Sequence, residues 1–413
     1  MTKKLLFVSS TNLTTNPRIL KEIKLAVANG YSVEFLGFWM DNWSAKIEKK
    51  HIEELQGKVQ LHYINAGRKP FLRWLYSSVL ERGLRRTYFI WPKTLKIDAY
   101  ASNKRSILLS RWFRKNKPNA DLIIAHTLGT LFPVFHYARD KGKPFAFDVE
   151  DYHPGEVIKN NEQDEKNRRT NLLKKILPSA KYVSCASPLI EQKIRNSILG
   201  EITDVNIFTV NNCFSGFEFV SPKERKEDDK LKFVWFSQNI SAGRGLELVL
   251  PLLSRFSDEV SLTLIGNADP KFYDVVVSKY LSFVTIIPPL PQIELHQKLS
   301  KFDVGLAIED GTIDLNRDIC LTNKIFGYFQ AGLFILATDT SGQKKFILDN
   351  PEFGIIFSFK KQDFVEKLRN LLENKDEILA GREARFLKAE KASWENESAK
   401  LTDIWDKILN RTS

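Results

Sequence analysis

The sequence predicts an α/β protein built from two domains of parallel sheet that face each other across a cleft. Three observations carry this. Short apolar runs alternate with helical patterns over nearly the whole length, which is the pattern of parallel strands joined by crossover helices. The chain has 413 residues, more than one hydrophobic core usually holds. A hydrophilic break, SPKERKEDDK at 221–230, separates two series of strand patterns and reads as a linker.

In the first half, strands are expected at KLLFVS, SVEFLGF, VQLHYI, DLIIAH, PFAFDV, KYVSCAS and IFTVNN. The amphipathic stretch from Asn16 to Asn29, closed by Gly30, supplies the first crossover, and the basic region 70–117 supplies longer ones. The second half restarts with LKFVWFS and a helix from Leu246. It continues with SLTLIG, a helix near Phe272 to Leu281, FVTIIPP, a helix near Ile293 to Lys301, VGLAIE, a helix opening at Thr322, an apolar strand and GIIFSF. A last helix, from about Ala392 through WENESAKLTDIWDKIL, has no strand after it. The expected organisation is therefore a first domain at 1–220, a second at 221–391, and a helix at 392–413 packing back on the first. Ligands are expected at the carboxyl ends of the strands lining the cleft.

With 43% hydrophobic and 27% charged residues the chain is ordinary globular material. It has no apolar run approaching ~18 residues, and its start turns polar too soon for a signal peptide or a membrane span. The three cysteines, Cys185, Cys213 and Cys320, are widely spaced and odd in number. They are read as reduced thiols of a cytoplasmic protein. The net charge of +12 is concentrated: between Gly67 and Pro118 fourteen Lys or Arg stand against Glu81 and Asp98. Aromatic residues such as Phe71, Trp74, Phe89 and Trp91 are interleaved with them. That mixture suits peripheral contact with an anionic membrane at its inner face. Nucleic acid would also answer it through phosphates and stacking, as would a solvated basic face whose aromatics fill a core. Membrane contact is the expectation adopted, with no nucleic acid partner.

Two segments of the second half suggest an anion site. In TNKIFGYFQAGLFILATDTSG, Thr322 or Asn323 can cap a helix, Lys324 adds charge at its start, and Gly332 can end it. In FVWFSQNISAGRGLELVL, Gly243 and Gly245 allow close backbone approach and Arg244 can bind phosphate in bidentate fashion. Two cations in one half make a plausible clamp for a diphosphate.

Taken together, the strand-GRG-helix unit, LTLIGNA, VGLAIE, NKIF-YFQAGL and the TSG loop resemble the nucleotide-sugar half of the family 4 retaining glycosyltransferases of GT-B fold. There the corresponding helix typically reads like PNKIFEYLAAGLPVIA. NPRILKEIKLAVANGYSV, DLIIAH, FDVEDYHPGE and VNNCF extend the likeness over almost the whole chain, with enzymes of bacterial surface polysaccharide assembly as the nearest type. The resemblance implies two Rossmann-like domains. It also implies a nucleoside diphosphate sugar as donor substrate, with no cofactor, and a glycan or lipid-linked acceptor in capsule, lipopolysaccharide or exopolysaccharide synthesis. Arg244 and Lys324 then answer to the donor-phosphate cations, with Gly243, Gly245 and Asn323 beside them. Thr340, Ser341 and Gly342 answer to the loop that approaches the diphosphate. On the acceptor side His126, Glu150 and Asp151 are the catalytic candidates, while His153 would need its loop to bend back. No aspartate pair of the metal-holding kind is present, so no metal is expected.

The family's paired glutamates would fall at Ile319 and Gly327, and neither carboxylate is there. The second normally binds the donor ribose hydroxyls, and one such charged contact is worth about 1.5–3 kcal/mol. Glu309 and Asp310 are the nearest carboxylates, and Glu309 is taken as the donor-binding candidate. A catalytically degenerate relative that binds or scaffolds is the alternative reading.

Overall fold

The computed structural model describes residues 2–158, 162–202, 204–222 and 230–410. The chain divides into two compact units, one running to Val210 and resuming at Ser398, the other Asn211–Glu397. Each is a parallel α/β sheet, as the alternation of apolar runs and helical patterns predicts.

The first unit holds seven strands: β1 (Lys4–Ser9), β2 (Ser32–Trp39), β3 (Val59–Asn65), β4 (Leu122–His126), β5 (Phe145–Val149), β6 (Val183–Cys185) and β7 (Ile207–Thr209). Their order is β3-β2-β1-β4-β5-β6-β7. The central strands are continuous apolar runs because both faces are covered, and β1, β4 and β5 are buried from end to end apart from Lys4. Register aligns Ser9 with His126, His126 with Asp148, and Asp148 with Ser184. One row of polar side chains therefore crosses four strands near their carboxyl ends. The helix Pro17–Ala28 starts as its sequence directs: the Asn16 side chain accepts the Ile19 N–H, and proline occupies the first turn. The C-terminal helix Trp394–Leu409 brings Trp405 into this unit, fully buried, edge-on to Phe7 and Tyr31, with its indole N–H donating 2.8 Å to the Tyr182 hydroxyl. Withdrawing a tryptophan side chain of roughly 200 Å² from water is worth about 5 kcal/mol.

The second unit holds β8 (Leu231–Ile240), β9 (Val260–Ala268), β10 (Val284–Ile287), β11 (Val304–Ala307), β12 (Phe334–Thr338) and β13 (Gly354–Phe357), in the order β10-β9-β8-β11-β12-β13. Trp235, Phe233, Leu264 and Phe357 pack on one face of the sheet; Phe326, Tyr328 and Phe353 pack on the other.

The boundary between the units falls earlier than residue 220. Phe214 and Phe219 lie against the His296 ring, 4.2 and 4.6 Å between ring centres, and Gln330 holds the Phe214 backbone at both N–H and C=O. These apolar anchors fix residues 211–220 in the second unit. Of the charged linker 221–230, residues 223–229 lie outside the described residues.

Candidate functional site

In the first unit the row of strand ends meets two charged residues from the helix Pro17–Ala28. Arg18 and Glu22 stand one turn apart on the face that also carries Ile19, Ile23 and Ala26, so the helix buries a charge pair among apolar neighbours. Arg18 Nε and Nη2 donate to the two oxygens of Asp148 at 2.7 and 2.8 Å, and Nη1 donates to the Val210 carbonyl at 2.7 Å. The Ser184 hydroxyl donates to the same carboxylate. His126 lies between acids: Nε2 is 3.2 Å from Glu22 and Nδ1 is 3.1 Å from Glu150, with Asp148 at 3.6 Å.

Burial alone would lower the His126 pKa. The Glu22 charge, the hydrogen bonds to Glu150 and Glu22, and the Asp148 charge outweigh it, and His126 is pushed up to about 10. Burial raises Glu150, against the pull of His126; burial opposes the ionisation of Asp148, but Arg18 and His126 hold it below the usual range. His126 is thus a buried imidazolium at neutral pH. The side chain of Glu150, 23% exposed, is where this network reaches solvent. His126 orients Glu150 from behind. Its own ring, fully buried, has no exposed edge.

Ligand atoms of Glu22, His126 and Asp148 come within 4.8 Å of one another. A divalent ion there would place two more positive charges beside Arg18 and the imidazolium, and Arg18 already engages both Asp148 oxygens. The charge balance makes this an internal ion-pair network.

Directly after His126, Thr127 has φ of 72°, an outlying value for a β-branched residue. It is held there by Ser10, whose hydroxyl bonds Thr127 Oγ1 at 2.7 Å and whose N–H donates to it at 3.1 Å. This strained pair sits where the strand order reverses between β1 and β4, the place where open α/β sheets bind ligands. Asp151 lies in the turn after β5, where its carbonyl accepts the His153 N–H at 2.9 Å; burial would lower His153, but the hydrogen bond and charge of Glu156, with the Asp151 charge added, raise it. His153 itself pairs with Glu156 at 3.1 Å, and Glu156 in turn with Arg169, so it does not take the place of Glu150.

In the second unit, Lys324 stands in the first turn of the helix Asn323–Gln330, its Nζ 2.7 Å from Glu309 Oε1. Glu309 is fixed through its backbone. Its N–H donates to Thr338 Oγ1 at 2.9 Å, the same hydroxyl donates to the Glu309 carbonyl at 2.7 Å, and Gln343 donates to that hydroxyl at 2.8 Å. Both side chains keep partial access to solvent, 12% for the lysine and 20% for the glutamate. The helix cap differs from expectation: Thr322 holds the cap position without a side-chain bond, and Asn323 Oδ1 accepts from Asn212 at 2.9 Å.

Arg244 is exposed and makes no ion pair among the described residues. The backbone around it is already engaged. The Gly243 N–H donates to Glu247 at 2.7 Å. Gly245 has φ of 81°, and a Cβ on it would stand 2.4 Å from Ile308 Cγ2.

The Thr340–Gly342 loop shows the same closure. Thr340 caps the helix Ser341–Asp349 by accepting from Gln343, and Asp318 takes both the N–H and the hydroxyl of Ser341, at 2.8 and 2.7 Å. Gly342 is small because it packs on the chain itself, since a Cβ there would lie 2.5 Å from the Cys320 carbonyl oxygen. The position lacking a carboxylate, Gly327, faces Phe236, whose ring would be 3.2 Å from an added Cβ. Phe236 in turn packs edge-on against Tyr328. Ile319 is buried.

Sequence reading missed Arg18, Glu22 and Glu247, and it placed Asp318 in the loop after Glu309 and Asp310 without its bonds to Ser341. The signal for the first two was present, as charges four apart on the apolar phase of a helix. Glu247, four residues after Gly243, was a capping candidate by spacing. Asp318 acts across 23 residues and has no local signature.

No family model matches the chain, and no curated protein matches it. Solved structures do. Sucrose-phosphate synthase from Thermosynechococcus elongatus superposes with a TM-score of 0.66 at 12% identity, covering 99% of this chain and 100% of that one. HepE from Anabaena in complex with UDP-glucose gives 0.63 at 12%, covering 98% and 99%. A structure described as trehalose-6-phosphate from E. coli bound with UDP-2-fluoro glucose gives 0.60 at 11%, covering 97% and 98%. The fold of this chain is that of the GT-B glycosyltransferases.

Proposed function

We propose that the protein is a glycosyltransferase that moves a sugar from a nucleoside diphosphate sugar to an acceptor hydroxyl. The observation that carries this is the Lys324–Glu309 pair. It sets a cation and a carboxylate side by side at a helix start next to the strand ends of the unit whose sequence resembles a donor-binding half. In this reading Lys324 and Arg244 balance the charge that develops on the leaving diphosphate. Glu309 accepts from donor hydroxyls, in place of the carboxylate missing at Gly327. Gly243, Gly245, Asn323 and the Thr340–Gly342 loop shape the surroundings.

The reaction proposed proceeds with retention. The acceptor oxygen attacks the anomeric carbon on the face the phosphate leaves, the carbon–oxygen bond to phosphate breaks, and the acceptor proton passes to the departing phosphate oxygen. No protein nucleophile and no metal is required; loss of activity on chelation with recovery on manganese would refute the second point. Glu150, backed by His126, is assigned to the acceptor side with Asp151. The acceptor class proposed is a glycan or lipid-linked sugar of bacterial surface polysaccharide synthesis, on the strength of the sequence resemblance.

A second reading is favoured by the Phe236 ring over Gly327 and by the carboxylates that engage the Gly243 and Ser341 amides. These are features of a relative that binds without turnover. Calorimetric titration with UDP, GDP and ADP separates the readings when combined with slow donor hydrolysis. A transferase binds one diphosphate and releases it from its sugar; a non-catalytic relative binds and releases nothing. Lys324→Met should weaken the diphosphate ten- to hundredfold, the equivalent of about 1.5–3 kcal/mol, and affect the monophosphate less. Absence of binding with every nucleotide would overturn the transferase reading and leave a scaffolding relative.

A further inference from the structure

The helix Phe71–Arg86 in the first unit is built inside out. Ser77 and Ser78 are buried at 1% and 5% exposure, while Phe71, Leu72, Tyr76 and Val79 stand 57%, 78%, 52% and 60% exposed. At 3.6 residues per turn, these residues and Leu75 fall on one arc of about 140°. Arg82 and Arg86 continue the same arc and are exposed. The turn after the helix extends the pattern, with Phe89 82% and Ile90 63% exposed. A helix normally turns its apolar stripe toward its own core. This one presents it to solvent.

The charge around it is not balanced. Of the two acids in the region, Glu81 pairs with Arg85 at 2.8 Å. Asp98 is fully buried, accepting from the Tyr88 hydroxyl at 2.5 Å and from Asn171 at 2.6 Å. Of the fourteen Lys and Arg of residues 67–118, ten are exposed and four, Arg73, Arg85, Lys104 and Arg105, are half-buried against the protein, so the exposed cations meet little opposing charge from the same stretch. That excess argues against a second copy of this chain as the cover, because two such faces would bring like charges together. It also argues for a negatively charged partner with an apolar interior. Of the exposed apolar side chains, Leu72, Leu75, Val79 and Ile90 are aliphatic, which favours an apolar interior over a run of stacked bases. Among the described residues no helix is long and apolar enough to cross a membrane, so contact would be in the interface plane.

We propose that this face docks on an anionic lipid bilayer. Phe71, Leu72, Tyr76 and Val79 enter the boundary between headgroups and acyl chains, and Arg82 and Arg86 meet the lipid phosphates. The inference stands apart from glycosyl transfer, because every donor-side group assigned above lies in the other unit.

The test is co-sedimentation of the full-length protein with vesicles of phosphatidylglycerol mixed with phosphatidylcholine, and with vesicles of phosphatidylcholine alone. In about 0.1 M salt, where charges act over about 10 Å, the protein should pellet with the first and at least tenfold less with the second. The doubles Leu72→Asp with Val79→Asp, and Arg82→Glu with Arg86→Glu, should each weaken the partition tenfold or more. Both should keep the wild-type melting temperature and nucleotide titration, since all four side chains are exposed. Wild-type protein that ignores anionic vesicles, variants that pellet as well as wild type, or a dimer in solution dissolved by the Asp pair would each overturn the proposal. A dimer would assign the face to a second copy.

Discussion

Arg18→Met isolates the buried network of the first unit in one substitution. Arg18 is 2% exposed and Asp148 1%; the change removes two charge-assisted bonds to the carboxylate and one to the Val210 carbonyl. What remains around Asp148 is the Ser184 hydroxyl and His126 at 3.6 Å. Breaking a buried pair from one side costs about 3–5 kcal/mol, because a buried charge is left uncompensated, while replacing both partners by apolar groups is often close to neutral. Arg18→Met should therefore destabilise the first unit by about 4 kcal/mol, and Arg18→Met with Asp148→Leu should recover at least half of that. Hydrogen exchange resolved by mass spectrometry, read on peptides covering β4 and β5, measures the stability of this unit separately from the other. A loss below about 1 kcal/mol, or a double variant no better than the single, would refute the account of Asp148 as a carboxylate dependent on Arg18.

Stability of the first unit should fall as pH rises. His126, facing Glu22, Asp148 and Glu150 with Arg18 alongside, titrates at about 10 when folded and near 6.5 when unfolded. The folded state alone holds that proton between these values, so the contribution, on the order of 5 kcal/mol, is complete below about pH 6.5 and lost by about pH 10. His126→Gln should flatten a profile of melting temperature against pH, and a wild-type profile already flat across that range would contradict the pairing. Gly245→Ala should cost roughly 2–5 kcal/mol through its left-handed backbone and the Ile308 contact. Gly243→Ala, also left-handed but with open space around it, should cost only about 1–2 kcal/mol; equal losses in urea titrations would dismiss the Ile308 contact. Gly327→Glu should lower the melting temperature, and adding Phe236→Ala should restore part of it, which no effect of charge alone would explain.

The strands were legible because a parallel strand covered on both faces is written as an unbroken apolar run, and KLLFVS, DLIIAH and PFAFDV are such runs. The first crossover was legible from Asn16, Pro17 and Gly30. The inverted helix was not. Its apolar residues have ordinary helical spacing, and periodicity shows that a stripe exists without showing which way it faces. His126 and Glu150 were each singled out by the resemblance, but their contact was not legible, and the charge on His126 depends on Glu22, which the helix supplies from another part of the chain. The two glycine loops were read as openings for phosphate; whether an amide is open depends on Asp318 and Glu247, and side-chain reach across a fold is not encoded in a motif. The extent of the first unit was missed for a related reason: Phe214 and Phe219 look like the continuation of a strand, and only their contact with His296 reveals where they belong.

The carboxylates of Asp318 and Glu247 set a condition on any anion that uses the amides of Ser341 or Gly243. A ligand there does not meet vacant donors; it meets a competitor tied to the same chain. Such a tethered group acts at an effective concentration on the order of millimolar, and unlike a free ion it is not removed by dialysis. Affinity for a diphosphate is then a difference between two anions of the same site. Asp318→Asn, which weakens the occupant while leaving the amide in place, is a change by which a loss of charge would tighten binding.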